Sequence, residues 1–149
     1  MSVNIICLIS HDPTWQPTEE AAERARALFA AAFPDSYEIK MEFHEETIFV
    51  DAGGNAVSTS CPACGRDAAA WWGDAMDGAY ETHFRRLDIT TPCCGLATSL
   101  NELRYEWLAG FARFTLEAVD PKVYPLDESL HRELEECLGS PLRIIWRHY

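Results

Sequence analysis

The sequence predicts an α+β protein, an antiparallel sheet covered by two helices, with a metal-binding segment inserted between two halves. Three observations carry this expectation. Strand, helix and strand patterns of apolar residues follow one another at both ends of the chain. The cysteines of the middle stretch stand in two short clusters. A length of 149 residues, 48% apolar and 24% charged, suffices for one globular core with a small insert.

Residues 3–10 are a continuous apolar run of strand length, suited to a buried central strand, and His11-Asp12-Pro13 breaks it. A helix starts after Thr18, an N-cap, with Glu19 and Glu20 placed favourably in its first turn. Its apolar stripe is Ala25, Leu28, Phe29, Ala32 and Phe33, the spacing of one buried face, and Pro34 ends it. Tyr37, Ile39, Met41 and Phe43 then alternate with Glu38, Lys40, Glu42 and His44, as on a half-buried strand. Residues 47–50 and 56–60 read as a hairpin around Asp51-Ala52-Gly53-Gly54-Asn55.

Residues 67–80 have partial helical character, weakened by Gly73 and Gly78, and residues 83–90 read as a strand. Ser99-Leu100-Asn101-Glu102 has the spacing of a capping box and starts a short helix. Ala112, Phe114, Leu116 and Ala118 alternate with Phe111, Arg113, Thr115 and Glu117 on a strand that Asp120-Pro121 closes. Leu130, Leu134, Cys137 and Leu138 share a helix face that Gly139 terminates. In the last strand, residues 142–148, Leu142, Ile144 and Trp146 fall on one side. Without the middle, this order is βαβ–βαβ, that of a ferredoxin-like antiparallel sandwich. The expected organisation is a single domain over 1–149, with residues 45–108 inserted between the halves.

Composition narrows function. The net charge is −12, and Arg85-Arg86 is the only basic doublet, so the basic footprint that nucleic acid requires is missing. No run approaches the roughly 18 apolar residues of a membrane span. The N-terminal run lacks a basic start and stops at Ser10, which reads as a strand and not as a signal peptide. A cytoplasmic location is expected, and an acidic surface suits a basic protein partner.

Of six cysteines, Cys7 and Cys137 sit singly in apolar patterns, as small buried hydrophobes do. Cys61-Pro62-Ala63-Cys64-Gly65 sets two thiolates two residues apart, able to turn toward one ion while backbone amides donate to the sulfurs. Cys93-Cys94-Gly95 forms the second cluster, 28 residues further on. In a reducing compartment such clusters favour metal over disulfides. The stretch resembles the knuckles of zinc ribbons and rubredoxins, whose usual half is Cys-Pro-x-Cys-Gly. The first cluster matches it and the second departs, because its cysteines are adjacent. Neighbours on a regular strand point to opposite faces, so both can bind only if a tight turn forms. The resemblance implies structural zinc on Cys61, Cys64, Cys93 and Cys94, with His83 or His44 as the substitute for a missing ligand.

Three other chemistries fit the cluster: a redox Cys-x-x-Cys, rubredoxin-like iron, and a catalytic zinc completed by Asp67 or Glu81. His11-Asp12 follows the first strand, but an Asp before Pro also simply forms a turn. Trp71-Trp72 suits either a recognition patch or packing of the insert on the sheet. Trp107, Phe111 and Phe114 read as core, and His131 as solvated. The function expected is a non-enzymatic, zinc-stabilised protein-interaction module. The alternative is a metal-dependent or thiol-redox enzyme using Cys61 and Cys64.

Overall fold

A computed structural model describes residues 2–122 and 126–149. In chain order the elements are β1 (Asn4–Ser10), α1 (Glu19–Ala32), β2 (Glu38–Val50), β3 (Thr59–Ser60), α2 (Trp72–Tyr80) and β4 (Asp88–Thr90). There follow β5 (Ala97–Ser99), β6 (Arg104–Tyr105), β7 (Gly110–Val119), α3 (Glu128–Leu138) and β8 (Leu142–His148). The main sheet runs β2-β7-β1-β8, antiparallel throughout. Two βαβ units interleaved in this way give the ferredoxin-like order. The fold is α+β, as the element order implied.

Residues 5–9 of β1 are apolar without interruption because both faces of the strand are covered. Ile6 and Leu8 pack under the helices with Phe29, Leu134 and Leu116, while Cys7 and Ile9 meet Val50 and Ile145 on the opposite face. Thr18 caps α1 by accepting the Ala21 N–H at 3.1 Å. The buried stripe of α1 is Ala21, Ala22, Ala25 and Phe29. Ala32, expected on that stripe, is exposed in the final turn, and Phe33 beyond the helix completes the face. In α3, Asp127 accepts from Ser129 N–H at 2.7 Å, and Gly139 ends the helix in the left-handed region at φ +84°.

The predicted hairpin of residues 47–50 and 56–60 does not form. Residues 47–50 continue β2, reaching that register through a bulge in which the five steps from Phe43 to Ile48 span only Phe114 to Ala112. Gln16 plugs the bulge, donating to the carbonyls of His44 and Arg113 at 3.0 Å each. The turn at residues 51–55 exists but docks on the end of β8. Gly54 N–H donates to His148 O at 2.7 Å, and Asn55 Nδ2 donates to Trp146 O at 3.2 Å. Gly53, at φ +61°, lies so close to the His148 carbonyl that a β-carbon would collide with it. A local turn signal cannot say which strand its exit will join.

One further expectation changes: only Asp88–Thr90 of residues 83–90 is strand, because His83 and Phe84 are left-handed at φ 57° and 56°. The short helix expected after Ser99 forms as a single 3-10 turn, Leu100–Glu102, with Ser99 accepting from Asn101 N–H at 3.1 Å. The segment between β2 and β7 has its own apolar cluster, including Leu87, Leu100, Leu103 and Tyr105. Phe49 and Phe111, cross-strand partners in β2 and β7, join it from the sheet.

Candidate metal centre

Two turns of the same backbone form carry the thiols. In the first, Ser60 bridges Asp67, Cys61 N–H donates to Arg66 O at 2.9 Å, and Gly65 N–H donates to Cys61 O at 3.0 Å. In the second, Thr90 pairs with Ala97, Thr91 N–H donates to Leu96 O at 2.9 Å, and Gly95 N–H donates to Thr91 O at 2.8 Å. Gly65 and Gly95 both take φ +72°, a left-handed position that glycine fills without strain.

The side chains on these matched frames differ. Positions one and four of the first turn are Cys61 and Cys64. The equivalents in the second are Thr91 and Cys94, with Cys93 at position three. The tight turn Pro92–Cys94 lets adjacent cysteines converge, which a strand would forbid. The four Sγ atoms lie within 4.8 Å of one another. Cys61 and Cys94 are 3.7 Å apart, and Cys64 and Cys93 3.4 Å. All six cysteines are free thiols. An ion with metal–sulfur bonds of about 2.3 Å in tetrahedral geometry sets its sulfurs about 3.8 Å apart, close to these separations. The group can hold a metal ion.

Backbone donors organise the sulfurs. The N–H groups of Cys64 and Ala63 aim at Cys61 and outweigh its desolvation, bringing its thiol down to about 6. Cys64 receives the Arg66 N–H, which lowers its thiol, but hydrogen bonding with Cys93, desolvation and the other two thiols together push it up to about 11. Thr91, 1% exposed, accepts the Leu96 N–H at 3.0 Å. Its Oγ1 also lies 3.5 Å from Cys94 Sγ, within hydrogen-bonding reach. Arg66 joins the turns by donating to Cys93 O at 3.4 Å.

Among the described residues, His83 and His44 stand outside the sulfur group, as do Asp67 and Glu81. His44 Nε2 is 3.0 Å from Thr115 Oγ1 in the sheet, and burial holds its pKa below the ordinary value against the pull of Glu42 and Glu117. Asp12 accepts from both Thr14 N–H and Thr14 Oγ1 at 3.0 Å, the turn-forming role of His11-Asp12. Trp71 and Trp72 pack against the middle cluster, and Trp72 Nε1 donates to Tyr105 OH at 3.3 Å. Phe111 and Phe114 are buried, but Trp107 is 49% exposed, which corrects its expected core position. His131 is half-buried, with Nε2 at 3.1 Å from Leu142 O, and is not simply solvated. Cys7 is fully buried as expected, whereas Cys137 is half-buried with its thiol toward Ala21 O.

Two site features escaped the sequence reading. Set under Cys61-Pro62-Ala63-Cys64-Gly65, the string Thr91-Pro92-Cys93-Cys94-Gly95 shares its proline, fourth-position cysteine and glycine, a signal present but obscured by the paired cysteines. The second is Asn101, 3% exposed, which fixes the middle segment to the sheet. It donates to His11 O at 3.0 Å and accepts from Phe111 N–H at 3.1 Å, while Arg143 spans Asn101 O and Ala109 O. A lone asparagine carries no pattern that announces such a role.

Comparison with models of known families, with curated proteins and with solved structures finds no match. The functional reading therefore rests on geometry. Among the described residues no helix is long and apolar enough to cross a membrane.

Proposed function

We propose that the chain is a non-enzymatic protein-interaction module whose middle segment is held by a structural zinc ion on Cys61, Cys64, Cys93 and Cys94, in the manner of a zinc ribbon. The observation that carries this reading is the convergence of four sulfurs from two matched hairpin turns. Strands of two and three residues flank these turns, too short to be stable alone. An ion on all four thiolates supplies the missing cross-link. Val57 and Trp107, 69% and 49% exposed, lie on this segment beside carboxylates, a surface suited to a basic protein partner.

The enzymatic alternative would use Cys61 and Cys64 directly. Four sulfur ligands leave no open position for a substrate. A reactive dithiol would pair Cys61 with Cys64, whereas here each meets a sulfur of the other turn, Cys61 that of Cys94 at 3.7 Å and Cys64 that of Cys93 at 3.4 Å. The deciding test is metal content and absorption of protein purified without added metal. One zinc per chain, a colourless protein and a tetrathiolate spectrum after cobalt exchange are expected. Iron colour, or a metal-free chain with the middle segment fully ordered, overturns the zinc assignment. Pull-down from the native host with and without chelator tests the module: a partner released by chelation is expected, and one retained by metal-free protein overturns the link.

A further inference from the structure

Next to the first thiol turn, a cavity of about 320 Å³ opens between the middle segment and the end of β2. Its volume lies at the small end of ligand sites. Phe49, Trp72, Tyr105 and Trp107 present aromatic surface to it, and Asp67 and Glu106 line it with carboxylates. Asp51 also lines it, but is occupied by Arg147 and the Tyr149 hydroxyl. Asp67 and Glu106 have no ion pair among the described residues. Asp67 accepts the Ala69 N–H, and Glu106 accepts the Ser58 hydroxyl at 3.0 Å. Both carboxylates are exposed and line the same cavity as the aromatic side chains.

The walls are fixed. The Trp72 indole donates to Tyr105 OH, which donates to Leu100 O at 2.6 Å. Trp107 is held at φ 65°, a conformation rare for a bulky side chain, and remains half in solvent at the cavity edge. Aromatic faces attract a cation through their quadrupoles, and the two carboxylates add direct attraction. An anion would be repelled.

We propose that this cavity binds an organic cation on an alkyl stem, the side-chain ammonium or guanidinium group of a lysine or arginine on a basic protein partner. The stem lies against Trp72 and Trp107, and the head meets Asp67 and Glu106. This deepens, and rests on, the reading of the segment as an interaction surface for a basic partner.

The test is titration of the full, zinc-loaded chain, following the indole N–H resonances of Trp72 and Trp107. Nα-acetyl-lysine methylamide should shift both saturably, and Nα-acetyl-norleucine methylamide should bind at least about ten-fold more weakly. The double variant Asp67→Asn/Glu106→Gln keeps both local hydrogen-bond acceptors while removing charge. It should weaken lysine binding at least about ten-fold and leave the norleucine probe unchanged. A lysine-bearing peptide should bind more tightly than butylamine, and equal binding of the two overturns the assignment to a protein partner. Equal affinity for lysine and norleucine probes, indifference to the carboxamide variant, or no saturable shift overturns the proposal. Zinc content measured on the same samples keeps the two readings apart. A zinc-loaded chain that ignores the lysine probe sinks this inference alone, whereas a chain without zinc sinks the earlier one.

Discussion

The turns at Cys61–Gly65 and Thr91–Gly95 share their hydrogen bonds and the sign and size of one glycine dihedral, yet place sulfur differently. The first uses positions one and four; the second uses three and four and gives position one to a buried threonine. The comparison teaches that the recurring unit is the backbone turn. Once that turn is formed, position three as well as position one can direct a thiol at the centre. The threonine keeps a polar atom where the missing sulfur would be, now hydrogen-bonded to Cys94.

The largest expected effect comes from deleting one thiol from each turn. Cys64→Ala and Cys93→Ala should each lower zinc affinity at least about 100-fold, read by competition with a chromophoric chelator. Cys93→Ala binding as tightly as the parent would show that the second turn contributes only Cys94. A repair sharpens the point: Thr91→Cys/Cys93→Ala rebuilds the first turn's pattern in the second. It should recover one tightly bound zinc and a tetrathiolate cobalt spectrum, and failure to recover would show that the two frames are not interchangeable. Next is Thr91→Val, which removes the hydroxyl while preserving shape. Zinc should be held about 10- to 100-fold more weakly, the scale of a lost outer hydrogen bond to a ligand. Unchanged affinity would reduce Thr91 to a filler.

The smallest effect tests the frames themselves. Gly65 and Gly95 share φ +72°, and a β-carbon at either would meet nothing within 4 Å. Gly65→Ala and Gly95→Ala should therefore cost the same, about 1–2 kcal/mol, from left-handed strain alone. Chemical denaturation of the zinc-loaded protein measures both. Unequal costs would break the equivalence of the turns.

Much of the fold was legible because its signals are local or periodic. The Thr18 cap, the α3 face ended by Gly139 and the doubly apolar β1 each follow from a few neighbouring residues. The grouping of the sulfur residues was legible too, since two thiols two apart before glycine have the spacing of one metal-binding turn. The predicted hairpin at 47–60 failed because its turn was read correctly and its partner was not. Residues 51–55 bind β8, almost a hundred positions away in sequence, and strand pairing at that distance leaves no periodic trace.

By itself the sequence determined the α+β class, the two βαβ halves and the identity of the clustered thiols, because propensity, hydrophobic period and cysteine spacing act over short stretches. Only the tertiary structure decided that Cys94 meets Cys61 and Cys93 meets Cys64, that Asn101 and Arg143 fasten the middle segment to the sheet, and that Asp67 and Glu106 share a cavity with Trp72 and Trp107. These depend on distances between residues far apart in the chain, which packing sets and local pattern does not encode.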